Sequence, residues 1–277
     1  MDIWYALVNT FLPFEWTQYE FMKNALLAVL IITPVFGILS TMIVNNRMAF
    51  FSDSIGHSTL TGVGIGVILG VKSPLLSMIV FSAIFAVFIV VFKNANTAST
   101  DTVIGVFSSI AISLGLVIIL KNSANLQKYL IGDILSITAF DILLLFIVLC
   151  VVMFFWIFIF NKLMIVSINQ SLASSRGLNV QLMEIVFTVI IAVIVTISIQ
   201  WVGLLIINSL LVLPAAAARN ISGNVRQYHV ISLLIAIISG VSGLILSYYW
   251  GTATGATIVL ISAGFYFATF FLKRKIA

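Results

Sequence analysis

Long runs of apolar residues, separated by short polar turns, dominate the chain from residue 21 to residue 272. Each run is close to the ~20 residues that an α-helix needs to cross a bilayer. The segment 202–218 is short and contains Pro214, so it decides between eight and nine full crossings. The pattern predicts an all-α polytopic membrane protein with 8–9 transmembrane helices, over residues 21–44, 51–70, 75–92, 102–120, 140–160, 182–199, 202–218, 225–248 and 252–272.

Residues 1–20 do not fit a membrane span. They mix aromatic residues such as Trp4 and Trp16 with Pro13, Glu15 and Glu20. Aromatic residues interrupted by acidic ones are typical of an interfacial segment that lies along the membrane surface. We therefore expect an interfacial segment over 1–20 and no cleaved signal peptide.

Residues 161–181 are too polar to span a membrane and too patterned for a random loop. Leu172, Ala173 and Arg176, followed by Gly177, predict a short helix that ends at a glycine C-cap. The expected organisation is the interfacial segment, a single transmembrane domain over 21–272 and a basic tail over 273–277.

The composition supports the membrane class. Of the 277 residues 62% are apolar and only 8% are charged, and the mean hydropathy is +1.26. A soluble domain would need far more charge to cover its surface. The net charge of +5 comes from scattered residues without interleaved aromatics, which excludes a nucleic-acid partner. Cys150 is the single cysteine, so neither a disulfide nor a thiolate metal cluster is expected.

The positions of the basic residues predict the orientation. If the segment around Arg176 is cytoplasmic, strict alternation of the spans places nine of the 13 Lys and Arg residues inside. Only four fall outside: Lys23, Lys72, Lys121 and Lys128. This bias agrees with the positive-inside rule. It places the N-terminus outside and the C-terminus inside.

Asp53 and His57 are the first candidates for chemistry. They lie four residues apart and so share one face of the second predicted helix, which Leu60 and Gly64 continue and Thr61 flanks. Ionisable groups at membrane depth are costly and usually mark an ion or proton path. An Asp oxygen with a His nitrogen suits divalent ions such as Mn²⁺, Fe²⁺ and Zn²⁺.

Two ligands are too few for a complete metal site. Waters, backbone carbonyls, Asn208, Ser209 or a second copy of the helix would have to complete the coordination shell. The alternative is that Asp53 and His57 are solvated at the start of the helix, where the helix dipole favours a carboxylate.

Other residues have simpler explanations. Gly62, Gly66 and Gly70 are also spaced by four, on roughly the opposite side of this helix, and predict close helix packing. His229, near Arg226, is expected to be solvated at the interface. Helix capping and the helix dipole suffice for two further acidic residues at predicted helix starts, Asp101 and Glu184. Asp133 is expected in an exposed turn.

Several blocks together resemble the permease subunits of ABC importers for manganese, zinc and iron, the ABC-3 family. The resemblance covers about residues 26–272. It is carried by DSIGHSTLTGV (53–63), DTVIG (101–105), ASSRGLNV (173–180), VGLLIINSLLVLPAA (202–216) and GATIVL (255–260).

The resemblance implies a permease homodimer, or a close heterodimer, in the bacterial cytoplasmic membrane, two cytoplasmic ATPase subunits and an extracellular metal-binding protein. It places Asp53 and His57 in the transmembrane metal-coordinating pair. It also places Ala173, Arg176, Gly177 and Leu178 in the coupling helix that docks in the ATPase. The divalent ion, Mn²⁺ or Zn²⁺ first, is cargo, and no permanently bound cofactor is implied.

The chain has no G-x-x-x-x-G-K-[ST] loop, so ATP hydrolysis is expected in a separate subunit. A cobalamin or siderophore permease of the related, larger ABC class is the alternative within transport. A membrane-embedded enzyme is a second alternative, although neither clustered acids nor a His/Glu metalloprotease motif is present.

Overall fold

The computed structural model describes residues 1–71, 73–95, 99–122 and 134–276, with the side chains of 2, 119–122 and 274–276 excepted. Its described residues form helices and two short 3-10 turns, Glu15–Gln18 and Ile134–Ser136. The α-helices are α1 Asp2–Phe11, α2 Glu20–Asn45, α3 Phe51–Ile68, α4 Pro74–Ala95, α5 Thr100–Asn122, α6 Ala139–Ile168, α7 Gln170–Ser175, α8 Val180–Val202, α9 Leu204–Ile221, α10 Val225–Trp250 and α11 Thr254–Ile276.

Among the described helices, eight are long and apolar enough to cross a membrane, which are α2, α4, α5, α6, α8, α9, α10 and α11. Of the described helices with at least 18 residues, α3 is the one that is not apolar enough, because it includes Asp53, His57 and several hydroxyl side chains. At 1.5 Å per residue, α3 is still about 27 Å long. The prediction of an all-α protein with eight or nine spans is confirmed. The helix that decides between eight and nine spans is α3, whereas the sequence pattern predicted that the segment 202–218 would decide it.

Two helix boundaries differ from the sequence prediction. Helix α6 runs to Ile168, well past the predicted end at residue 160, so Asn161 and Lys162 continue this helix instead of starting a separate polar segment. Helices α8 and α9 are separated by a single residue, Gly203, whose φ of +83° breaks the helix. A polar residue marks the end of an apolar run, but the helix continues until its backbone is interrupted.

One compact unit contains α1, most of α2, the first half of α6 and α9–α11. Helices α9, α10 and α11 pack on one another, and α2 packs closely on α10. The close approach is made at Gly37, where an added Cβ would lie 2.9 Å from the Ala236 Cβ. There Ser232 Oγ lies 2.9 Å from Ser40 Oγ and donates to the Gly37 carbonyl. Short hydroxyl bonds of this kind hold helices together where no water is present.

At the N-terminus, α1 is attached to the start of α2 by side-chain hydrogen bonds. Trp4 Nε1 donates to the Lys23 carbonyl at 2.9 Å, and the Tyr5 hydroxyl donates to Asn24 Oδ1 at 2.8 Å. Trp16 in the following 3-10 turn is buried, whereas Ile3 and Phe11 of α1 are exposed. The location of this segment at a membrane surface stays a prediction.

The second compact unit contains α3–α5, α7, α8 and the second half of α6. Helix α3 packs on both α4 and α5, and most of its residues are buried. Gly62 faces α4, where an added Cβ would lie 2.9 Å from the Phe81 Cβ, and Gly66 faces Ser77. On another side of α3, Thr61 Oγ1 donates to the Ala111 carbonyl of α5. These contacts pack α3 between α4 and α5.

Gly70 does not belong to this packing row. Helix α3 ends at Ile68, and a Cβ added to Gly70 would meet nothing within 4 Å. Its φ of +69° places it in the left-handed region that favours glycine. The expectation that Gly70 packs against another helix is therefore wrong, because the four-residue spacing extends past the end of the helix.

We expect Gly66→Ala to destabilise the protein and Gly105→Ala to leave it unchanged or slightly more stable. A Cβ at position 66 would lie 2.3 Å from Ser77 Oγ and 2.6 Å from Ser77 Cβ, whereas one at position 105 meets nothing within 4 Å. Overpacking of this kind typically costs about 1–3 kcal/mol. Thermal unfolding of the detergent-solubilised protein measures the difference. Equal melting temperatures for the two variants would contradict the close α3–α4 contact.

Candidate metal centre and the exposed short helix

Asp53 and His57 lie at the start of α3, in its first and second turns. The helix N-terminus carries partial positive charge, which stabilises the Asp53 carboxylate. Almost every other residue in these two turns is buried, including Ile55 and Ser58. Asp53 and His57 are partly exposed, at 45% and 33% of their side-chain surface. In its first two turns, α3 therefore has one partly exposed polar face, and its other faces are packed.

The two side chains approach each other on this face. His57 Nε2 lies 3.6 Å from Asp53 Oδ1, just beyond hydrogen-bond length. Two ligands that each lie about 2.1 Å from one tetrahedral ion are roughly 3.4 Å apart. The observed separation therefore needs little adjustment for both atoms to bind the same divalent ion.

The open face is short. Leu60 continues it and is partly exposed, but Gly64 is buried, and a Cβ there would lie 2.6 Å from Ile118 of α5. Thr61 also faces α5, because its hydroxyl donates to the Ala111 carbonyl. From residue 53 to residue 60 a helix rises about 10 Å. The sequence pattern extended the polar face to Gly64, whereas the structure ends it one turn earlier.

Within the described part of the chain, no three His, Cys, Asp or Glu side chains come together as a metal-binding group. Asn208 and Ser209, which were considered as further ligands, lie on α9 in the other compact unit. His229 lies on α10 with both ring nitrogens buried, so the expectation that it is solvated at the interface is wrong. Asp133, expected in an exposed turn, lies outside the described residues.

The segment around Gly177 forms the expected short helix. Asn169 Oδ1 accepts from the Leu172 amide at 3.0 Å and caps the start of α7. At the end, Gly177 has a φ of +76°, the Leu178 amide donates to the Ala173 carbonyl at 3.1 Å, and the Gly177 amide donates to the Ser174 carbonyl at 2.9 Å. This pair of bonds is a Schellman motif.

Helix α7 presents an exposed surface. Ala173 is fully buried beneath it, whereas Leu172, Arg176 and Gly177 are exposed. Leu172 exposes 45% of its surface, on the same short helix as exposed polar residues. The helix is fixed by its caps and by Ala173, and its outer face is available for a partner.

Glu184 is a residue whose importance the sequence pattern missed. It was expected to cap α8, but Asn179 does so, since its Oδ1 accepts from the Leu182 amide at 3.0 Å. Glu184 is buried one turn inside α8 and forms an ion pair with Lys93, with 3.1 Å between Nζ and Oε1. The capping prediction for Glu184 is wrong because Asn179, directly before the first residue of α8, caps the helix instead.

Comparisons with known proteins agree on one family. A model of the ABC 3 transport family matches residues 18–273. The chain is 30% identical over 262 residues to the "High-affinity zinc uptake system membrane protein ZnuB" of Haemophilus influenzae, covering 94% of this chain and 100% of that protein. It is 29% identical over 260 residues to the "Manganese import system permease protein ScaB" of Streptococcus parasanguinis, covering 93% and 92%.

A solved structure shows the same fold. The structure described as "PsaBC from Streptococcus pneumoniae in complex with Fab" superimposes with a TM-score of 0.77 and 27% sequence identity, covering 98% of this chain and 96% of that chain.

Proposed function

The chain belongs to the ABC-3 transport family, and we propose that it is the transmembrane permease of an ATP-driven importer of divalent transition-metal ions. The observation that carries the proposal is the Asp53–His57 pair, with 3.6 Å between its ligand atoms on the one open face of a packed helix. The printed names of the relatives, which refer to zinc and manganese, support Zn²⁺ or Mn²⁺ as cargo, with Fe²⁺ as the third ion of suitable chemistry.

In this proposal Asp53 and His57 bind the ion in passage. Two protein ligands hold a divalent ion less firmly than the four of a closed structural site, so the ion leaves readily. Water or groups from elsewhere in the assembly complete the coordination shell. The pair therefore acts as a transient site rather than a storage site.

The proposed assembly has partners on both membrane faces. A cytoplasmic ABC ATPase docks on α7, which is supported by the exposed surface around Arg176 and the rigid end at Gly177. An extracellular metal-binding protein delivers the ion, and the permease acts as a homodimer. The family and its bacterial relatives support a location in the bacterial cytoplasmic membrane. The bias of basic residues supports an orientation with the N-terminus outside and the C-terminus inside.

The proposal is tested by reconstituting the chain with its ATPase subunit in liposomes and measuring ATP-dependent uptake of radiolabelled zinc, manganese and iron. We expect saturable uptake of at least one of these ions and none without ATP. Vesicles that contain the permease without its ATPase are the control. ATP-driven uptake of a cobalamin or a siderophore, with no uptake of free divalent ions, would replace the metal proposal with the alternative substrate class.

A further inference from the structure

A polar cluster around the buried Glu184 carboxylate joins α7 to the rest of its unit. We name it the Glu184 cluster, and it consists of Glu184, Lys93, Asn94 and Gln170. The Glu184 carboxylate accepts at Oε1 from Lys93 Nζ at 3.1 Å and from Gln170 Nε2 at 3.2 Å, and at Oε2 from Asn94 Nδ2 at 3.1 Å. The Lys93 and Glu184 side chains expose only 17% and 8% of their surface.

The members of the cluster come from three different helices. Lys93 and Asn94 lie in the last turn of α4, Gln170 is the first residue of α7, and Glu184 lies in α8. Because hydrogen bonds to a buried charge are strong and directional, they fix the start of α7 to two membrane helices. The bond from Gln170 is the only one of the three that reaches α7.

The cluster also lies beside the start of α3. A cavity of about 10 Å³, room for roughly one water, is lined by Lys93 and Glu184 together with Asn46 and Met48. The Met48 carbonyl accepts from the Phe51 amide at 3.0 Å, and Phe51 is the first residue of α3. Asp53 follows two residues later. The Glu184 cluster therefore shares a cavity with the turn that precedes α3 and the candidate metal ligands.

From this arrangement we propose that Glu184 is a positioning residue that connects α7 mechanically to the start of α3. This inference rests on the proposed function, because it assigns α7 the role of receiving the ATPase movement. When the ATPases displace α7, Gln170 pulls on the Glu184 carboxylate, and the Lys93–Glu184 pair carries the displacement to the end of α4 and the Met48 turn. Asp53 and His57 then change their positions relative to the surrounding helices.

The mildest test removes only the bond from α7. Gln170→Ala leaves the buried Lys93–Glu184 pair intact, and Gln181→Ala is the matched control, since Gln181 is an exposed glutamine at the start of α8. Allosteric couplings are typically worth about 5–150-fold. In the reconstituted complex we expect Gln170→Ala to lower the number of metal ions taken up per ATP hydrolysed by at least about fivefold. Gln181→Ala should leave that ratio unchanged.

A second experiment tests whether Glu184 and Gln170 act in the same connection. The number of metal ions taken up per ATP hydrolysed is measured for Glu184→Gln and for the double variant Glu184→Gln with Gln170→Ala. The double variant should be no worse than the more severe single variant, because either change breaks the same link. A normal ratio in either single variant would overturn the inference. So would a loss of uptake and hydrolysis in equal proportion, which indicates a merely structural ion pair.

A second measurement does not depend on the cargo. A spin label at the exposed position Ser171 on α7, in a Cys150→Ser background, reports the mobility of α7. Glu184→Gln should make this label more mobile, and Gln181→Ala should not. Unchanged mobility in Glu184→Gln would refute the connection. A wild-type complex without ATP-driven metal uptake would instead refute the proposed function.

Discussion

Replacing Asp53 or His57 by alanine is expected to abolish metal uptake while the protein still folds and binds its ATPase. Each side chain is partly exposed, so its removal leaves neither a buried cavity nor an unpaired buried charge. Loss of an outer-shell partner of a metal site already costs about 10–100-fold in affinity or activity, and loss of a direct ligand is expected to cost at least as much. Initial rates of radiolabelled metal uptake at equal expression measure the effect.

The matched control for this experiment is Asp141→Ala. Asp141 lies in the first turn of α6, is partly exposed like Asp53, and accepts hydrogen bonds from the Thr138 amide and hydroxyl through Oδ2. Losing this cap costs about 1 kcal/mol of stability but removes no proposed ligand. Uptake near the wild-type rate in both Asp53→Ala and His57→Ala would refute the metal site, whereas a loss in Asp141→Ala as well would indicate general instability.

Helix α3 shows which properties of a site are local in sequence. The shared face of Asp53 and His57 follows from the four-residue spacing alone, so the sequence predicts it whatever the helix packs against. The face stops before Gly64 because Ile118 of α5 covers that position. No pattern inside α3 carries that information, and the polar face was therefore predicted one turn too long.

The glycines show the same division. Gly177 was predicted as a helix end because a polar helix followed by glycine is a local signal, and the positive φ at that residue agrees. Gly70 was assigned to a packing row because its spacing matches Gly62 and Gly66. The spacing of glycines does not indicate where the helix ends. Helix α3 ends at Ile68, before Gly70 with its positive φ.

Glu184 is the clearest case of a residue that its own neighbourhood does not explain. Its hydrogen-bond partners lie 14, 90 and 91 residues away in the chain. In the sequence it is a single carboxylate near a helix start, where capping is the usual explanation. The three donors meet it only because the end of α4 and the starts of α7 and α8 come together in the fold.

Gly177→Val is expected to uncouple the permease from its ATPase, with uptake falling at least about fivefold, the lower end of typical couplings. Gly177 has a φ of +76°, and residues with a Cβ pay about 1–2 kcal/mol to adopt this region. With valine there, the bond from the Leu178 amide to the Ala173 carbonyl is lost, and the exposed face of α7 changes its shape. Metal binding at α3 is retained, because no ligand is altered. Uptake, ATP hydrolysis and metal binding are measured on the same preparation.

Gly251→Val is the control that distinguishes a loss of coupling in Gly177→Val from the effect of backbone strain alone. Gly251 ends α10 with a φ of +61°, and the Thr252 and Gly251 amides donate to the Ser247 and Tyr248 carbonyls in the same arrangement as at the end of α7. An added Cβ meets nothing within 4 Å at either glycine, so the two substitutions impose similar strain. In the proposed orientation Gly251 lies on the extracellular side, away from the ATPase. Normal metal-stimulated ATP hydrolysis and uptake in Gly177→Val would remove α7 from the docking site, and equal losses in both variants would assign the effect to strain.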